Sequence, residues 1–93
     1  MIGLFMAYSD PDQYAIHAFC GIFESEEKIP KKIKNKKFED GTPAYIPNIK
    51  RYDAEELDQK VVDSYGRSFE KYYYTKPVRL NQKVKDIYGY CPY

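Results

Sequence analysis

The stretch Leu57-Asp58-Gln59-Lys60-Val61-Val62-Asp63-Ser64-Tyr65-Gly66 returns 23 residues later as Leu80-Asn81-Gln82-Lys83-Val84-Lys85-Asp86-Ile87-Tyr88-Gly89. Seven of the ten positions are identical, and Asp58/Asn81 is a near-isosteric pair. Leu57, Val61 and Tyr65 are spaced by four, as are Leu80, Val84 and Tyr88, so each trio lines one helical face. Asp58 and Asn81 suit helix N-caps, and Gly66 and Gly89 stand where a helix end takes a left-handed residue. The sequence therefore predicts two units, over about 45–66 and 68–89. Each is an extended segment followed by a short helix closed by glycine. One long helix from Asp53 to Tyr74 is the competing reading, since Leu57, Val61, Tyr65, Phe69 and Tyr72 also fit a helical face. The repeat reading is preferred.

Upstream, the apolar runs Ile2–Tyr8 and Tyr14–Phe23 flank Ser9-Asp10-Pro11-Asp12-Gln13, five turn formers. This predicts a β-hairpin over 2–23. Within its second strand Ile16, Ala18, Cys20 and Ile22 form a uniformly apolar face, expected to meet the core. Ala15, His17, Phe19 and Phe23 form the other face. With both faces fairly apolar, that strand is expected to be central. Ser25 is a good N-cap with Glu26 and Glu27 in the first turn, so a basic surface helix is expected over 26–38. Pro30 either costs that helix a hydrogen bond or begins its regular part. The fold class expected is a single small α+β domain with the hairpin in an antiparallel sheet, the basic helix and the two strand–helix units. At 93 residues there is room for one domain.

Composition narrows the function classes. Net charge is +1, and 17% of residues are aromatic, 11 of them Tyr; disordered chains lack aromatics and carry a large net charge. The charges are segregated. Residues 1–27 hold five acids and no Lys or Arg, and residues 28–37 hold six lysines. No apolar run reaches the length of a membrane span, so no membrane partner is expected. Met1–Tyr8 lacks the basic flank of a secretory signal, and Cys20 and Cys91 are expected as reduced thiols in the cytoplasm. A Cys20–Cys91 bridge would require the C-terminal tail to dock on the hairpin.

The segment Gly21-Ile22-Phe23-Glu24-Ser25-Glu26-Glu27-Lys28 is a strand running into an N-cap and an acidic first turn. It resembles the opening of many small uncharacterised proteins of tailed phages and prophages. The likeness covers about the first third of the chain, and Pro30 and the lysine run depart from it. The resemblance implies an accessory factor acting on a host protein in the bacterial cytoplasm, and no residue-level function.

No catalytic set is read from the sequence, and neither a cofactor nor a metal is expected. His17 and Cys20 are three apart on a strand and point to opposite faces, so they do not cooperate. Asp53, Glu55, Glu56 and Asp58 read as a solvated turn rather than an acid/base pair. The five glycines are isolated, which leaves no phosphate loop. Two binding candidates remain. Phe69, Tyr72, Tyr73 and Tyr74 are expected as a protein contact surface, since an extended run places Tyr73 opposite Tyr72 and Tyr74 and exposes at least one ring. Lys31, Lys32, Lys34, Lys36 and Lys37 would attract an acidic protein surface or phosphate. The leading expectation is a non-enzymatic protein that binds and modulates or inhibits a host macromolecule, most plainly a protein. The alternatives are a nucleic-acid or nucleotide-phosphate binder working through the lysines, and a structural homo-oligomer such as a closed dimer.

Overall fold

The computed structural model describes residues 1–9, 12, 14–64 and 70–78. Strand β1 (Ile2–Ser9) and strand β2 (Ala15–Phe23) form the expected hairpin. A 3₁₀ turn (Glu26–Lys28) and a one-turn helix α1 (Lys31–Lys34) follow. Next come the short strand β3 (Tyr45–Ile46), helix α2 (Arg51–Asp63) and strand β4 (Tyr72–Pro77). The strands form one sheet in the order β2-β1-β4-β3. β1 runs antiparallel to both neighbours, while β3 pairs parallel with β4, so the sheet is mixed. α2 links that parallel pair as a crossover helix and packs on β1 and β2. The result is a small α+β domain.

The strand period decides which side chains meet α2. Phe5 lies opposite Phe19 and Tyr74, and Ala7 lies opposite His17 and Tyr72. With Phe38, Ala44, Val61 and Val78 these rows make the core; Phe5 and Tyr72 are fully buried. Burying a side chain the size of Phe5 contributes about 1.5–3 kcal/mol. Phe5 stacks on Tyr74 with ring centroids 5.2 Å apart and meets Phe19 at 5.5 Å. The core face of β2 is therefore the one carrying His17 and Phe19, and Ile16 and Ala18 turn away from it. That inverts the expectation from side-chain polarity, because His17 is not an unsatisfied polar group but part of the hydrogen-bonded set described below. Among the described strands β2 is an edge strand rather than a central one. Its register shifts opposite Leu4 and Phe5, leaving Cys20 as the extra residue of a β-bulge next to Gly21 (φ 155°).

Other expectations change for local reasons. The helix expected over 26–38 is cut in two. Ser25 makes no side-chain cap, the chain takes only a 3₁₀ turn, and Pro30 caps a four-residue helix. α2 begins at Arg51, well before Asp58, so Asp58 is a mid-helix residue rather than an N-cap. Ser64 ends α2 and β4 follows at Tyr72, which excludes one helix from Asp53 to Tyr74. The unit expected at 45–66 is a strand plus a helix as far as Ser64. Most of the unit at 68–89, including the second copy of the repeat, lies outside the described residues, as do both cap glycines, Phe69 and Cys91.

Two positions yield direct tests. A Cβ on Gly3 would come within 2.9 Å of both the Phe5 ring and Val78. Gly3→Ala should therefore cost about 1–3 kcal/mol by overpacking, seen as a lower denaturation midpoint with an unchanged slope. Tyr45 carries a buried hydroxyl that makes no hydrogen bond among the described residues. Burial, followed by the nearby Glu26 carboxylate, pushes its phenol up to about 12 from the ordinary 10.0. Because the folded value is the higher one, its contribution is complete below pH 10 and is lost as pH rises towards 12. Tyr45→Phe should raise stability near neutral pH by about 1 kcal/mol and blunt that alkaline loss, both read from thermal melts across pH.

Candidate functional site

The sheet face under α2 holds a connected polar group. His17, on β2, lies 2.9 Å through Nδ1 from the Tyr74 hydroxyl and 3.2 Å through Nε2 from Asp58 Oδ2. The Tyr72 hydroxyl donates to Asp58 Oδ1 at 2.7 Å. A carboxylate only accepts, so Nε2 carries the proton that faces Asp58. In the neutral ring Nδ1 then accepts from the Tyr74 hydroxyl. The Tyr74 ring also meets the imidazole edge-on, with centroids 5.6 Å apart. Three strand residues and one helix residue thus satisfy one another in a part-buried setting. Sequence reading missed this group because its members lie far apart in the chain and Asp58 resembled a cap.

Above the group opens a cleft of about 580 Å³. Buried His17 and Tyr74 line it together with Asp58, Ile49, Ala54 and Lys76, and with the exposed Lys50 and Arg51. Loop 47–50 is pinned to β4: Asn48, at φ 56°, donates its N–H to Thr75 Oγ1 at 2.9 Å, and Ile49 donates to the Thr75 carbonyl at 3.0 Å. A second groove, of about 380 Å³, lies on the other side of α2 among Glu39, Asp40, Glu56, Asp63 and Glu70. Lys60 crosses it, donating to Asp40 at 2.6 Å and Thr42 at 2.7 Å over the Phe38 ring. The Lys60 ammonium, then the Thr42 groups, hold Asp40 well below the usual carboxylate range. The acidic run at 53–58 is thus split: Asp58 points to the sheet, Glu56 to this groove, and Glu55 lies 3.7 Å from Arg51.

The candidates singled out in the sequence have separate fates. Tyr72 and Tyr74 are core residues, so they are corrected from contact surface to packing and hydrogen bonding. Tyr73 is half-buried on the opposite face of the sheet, and Phe69 lies outside the described residues. Lys31, Lys32 and Lys37 are exposed, while Lys34 and Lys36 are half-buried. Lys34 donates to the Glu26 carbonyl at 3.2 Å, tying α1 back to the 3₁₀ turn. Desolvation pushes the Cys20 thiol up from its ordinary value, which makes the thiolate scarcer and the residue a poor nucleophile. No helix among the described residues is long and apolar enough to cross a membrane. No protein-family model, curated protein or solved structure matches the chain.

The polar group should be energetically coupled. Asp58→Ala removes the acceptor shared by His17 and Tyr72 and should cost about 2–3 kcal/mol. Tyr72→Phe should cost about 1–2 kcal/mol, and the double variant should cost less than the sum. Urea denaturation of the three variants measures this, and strict additivity would show that the residues do not act as a unit.

Proposed function

We propose that the protein works by binding rather than by catalysis, as a small phage-type accessory protein. In this reading it modulates or inhibits a host protein in the bacterial cytoplasm. The observation that carries the reading is the presentation of Lys31, Lys32 and Lys37, exposed within seven residues on an anchored frame. Pro30 starts α1, the Lys34 contact ties it to the 3₁₀ turn, and Lys37 bridges to Pro43. Side chains carried on a fixed backbone lose less freedom on binding than those of a flexible tail. Three ammonium groups on such a frame suit an acidic protein surface, speed encounter and fix orientation. With Tyr72 and Tyr74 committed to the core, the contact surface passes from the tyrosines to these lysines.

Two further features support binding to protein. The stretch contains no Arg, and its one aromatic, Phe38, is buried. A single-strand nucleic-acid surface needs exposed rings on which bases can stack. The His17 group also favours a structural role over a reactive one, since both ring nitrogens already face protein groups. The test is affinity capture from nuclease-treated bacterial lysate, comparing the wild-type chain with Lys31→Glu/Lys32→Glu/Lys37→Glu. The expected result is one stoichiometric protein on the wild type and at least tenfold less on the variant. Equal capture by both, or material that vanishes with nuclease, would overturn the proposal.

A further inference from the structure

We propose that Thr75 is a positioning residue, whose buried hydroxyl couples the frame carrying Lys31, Lys32 and Lys37 to loop 47–50. The hydroxyl is shared between two segments far apart in the sequence. Asn48 donates its backbone N–H to Thr75 Oγ1 at 2.9 Å, and the same hydroxyl donates its proton to Glu26 Oε1 at 2.8 Å. Glu26 is the first residue of the 3₁₀ turn, and its carbonyl accepts from Lys34 of α1 at 3.2 Å. Asn48 sits at φ 56° in the loop, and Ile49 adds its N–H to the Thr75 carbonyl at 3.0 Å. Thr75 is 1% exposed, so water does not compete for either bond of the hydroxyl. Among the described residues no hydrogen bond joins Glu26 directly to loop 47–50, and the hydroxyl is the connection between them.

The direction of the two bonds makes this more than shared proximity. A hydroxyl has one proton to give. Here it goes to a carboxylate, in a charge-assisted bond. Giving it polarises the oxygen and strengthens the bond it accepts from Asn48. Loss of the Glu26 carboxylate therefore weakens a bond that Glu26 does not itself make. In return, release of the Asn48 bond frees the hydroxyl to rotate away from Glu26. The frame keeps other anchors: Ile29 is buried, and Lys34 holds α1 to the turn. Removing the hydroxyl thus loosens the frame without unfolding it. In the lysine reading of the function, on which this consequence rests, an acidic partner that steadies residues 31–37 also steadies Asn48 and Ile49.

The test is amide hydrogen exchange of the full chain, followed by NMR. Glu26→Ala should speed exchange at Asn48 and Ile49 by at least about fivefold. Thr75→Val keeps the shape and drops the hydroxyl, and should speed exchange at Lys28 and Ile29 by a similar factor. Thr75→Ser keeps the hydroxyl and drops the methyl, and should stay near the wild type at all four amides. A packing role would reverse the order of Val and Ser. Ser64, bonded within α2, is the internal reference for global stability. Poly-glutamate serves as an acidic probe: slower exchange at Lys28 and Ile29 should be matched at Asn48 and Ile49 in the wild type and not in Thr75→Val. A wild type indifferent to poly-glutamate would count against the lysine reading alone, because the free-chain variants decide the coupling. Unchanged Asn48 and Ile49 exchange in Glu26→Ala, unchanged Lys28 and Ile29 exchange in Thr75→Val, or acceleration equalled at Ser64 would overturn the proposal.

Discussion

Asp58 is the residue through which α2 is fixed to the sheet. Its carboxylate takes one hydrogen bond from Tyr72 on β4 and one from His17 on β2, strands that flank β1 on opposite sides. In register, His17, Ala7 and Tyr72 form one row across the sheet, with only the methyl of Ala7 on the central strand. A single side chain on the helix therefore fixes its rotation and its position along the strands. Apolar contacts from Val61 and Leu57 could tolerate a small slide, but two charge-assisted hydrogen bonds to separate strands cannot. The same arrangement commits Tyr72 and Tyr74 to the interior and shapes the floor of the cleft.

With that polar group satisfied, the exposed charge lies at the periphery. The lysine frame grows from the connection after β2 and is shaped by Pro30. The cleft mouth grows from the loop pinned by Thr75. These regions use different elements. The acidic groove beyond α2 is different in kind, because Lys60 already spans it and joins the 39–42 loop to the helix.

The hairpin was legible in the sequence because two apolar runs and five turn formers leave few alternatives. The α+β class was legible from the change between strand-like and helix-like spacing. What failed did so where a side chain serves a distant partner. Asp58 has the chemistry of a cap, yet its partners are 41 and 14 residues away in sequence. His17 looked out of place on a core face only while Tyr74 and Asp58 could not be set beside it. The start of α2 carries no capping side chain, since Lys50 occupies the cap position, so local chemistry gave no sign of it. The tyrosine run alternates as a strand should, but which face is buried depends on where the helix lands. Pro30 was the legible warning that the lysine segment would not be one continuous helix.

The sheet's outer borders carry a further consequence. β3 is two residues long and runs directly into Pro47 and the left-handed Asn48. β2 is longer, but its ladder is interrupted where Cys20 is inserted. Among the described strands, neither border offers an unbroken row of backbone donors and acceptors on which a strand from another molecule could extend the sheet. The hairpin chemistry that nucleates this fold is also what polymerising β-structures exploit, and here it is stopped at both sides. On the described strands, a bulge on one border and brevity on the other both work against edge-to-edge growth.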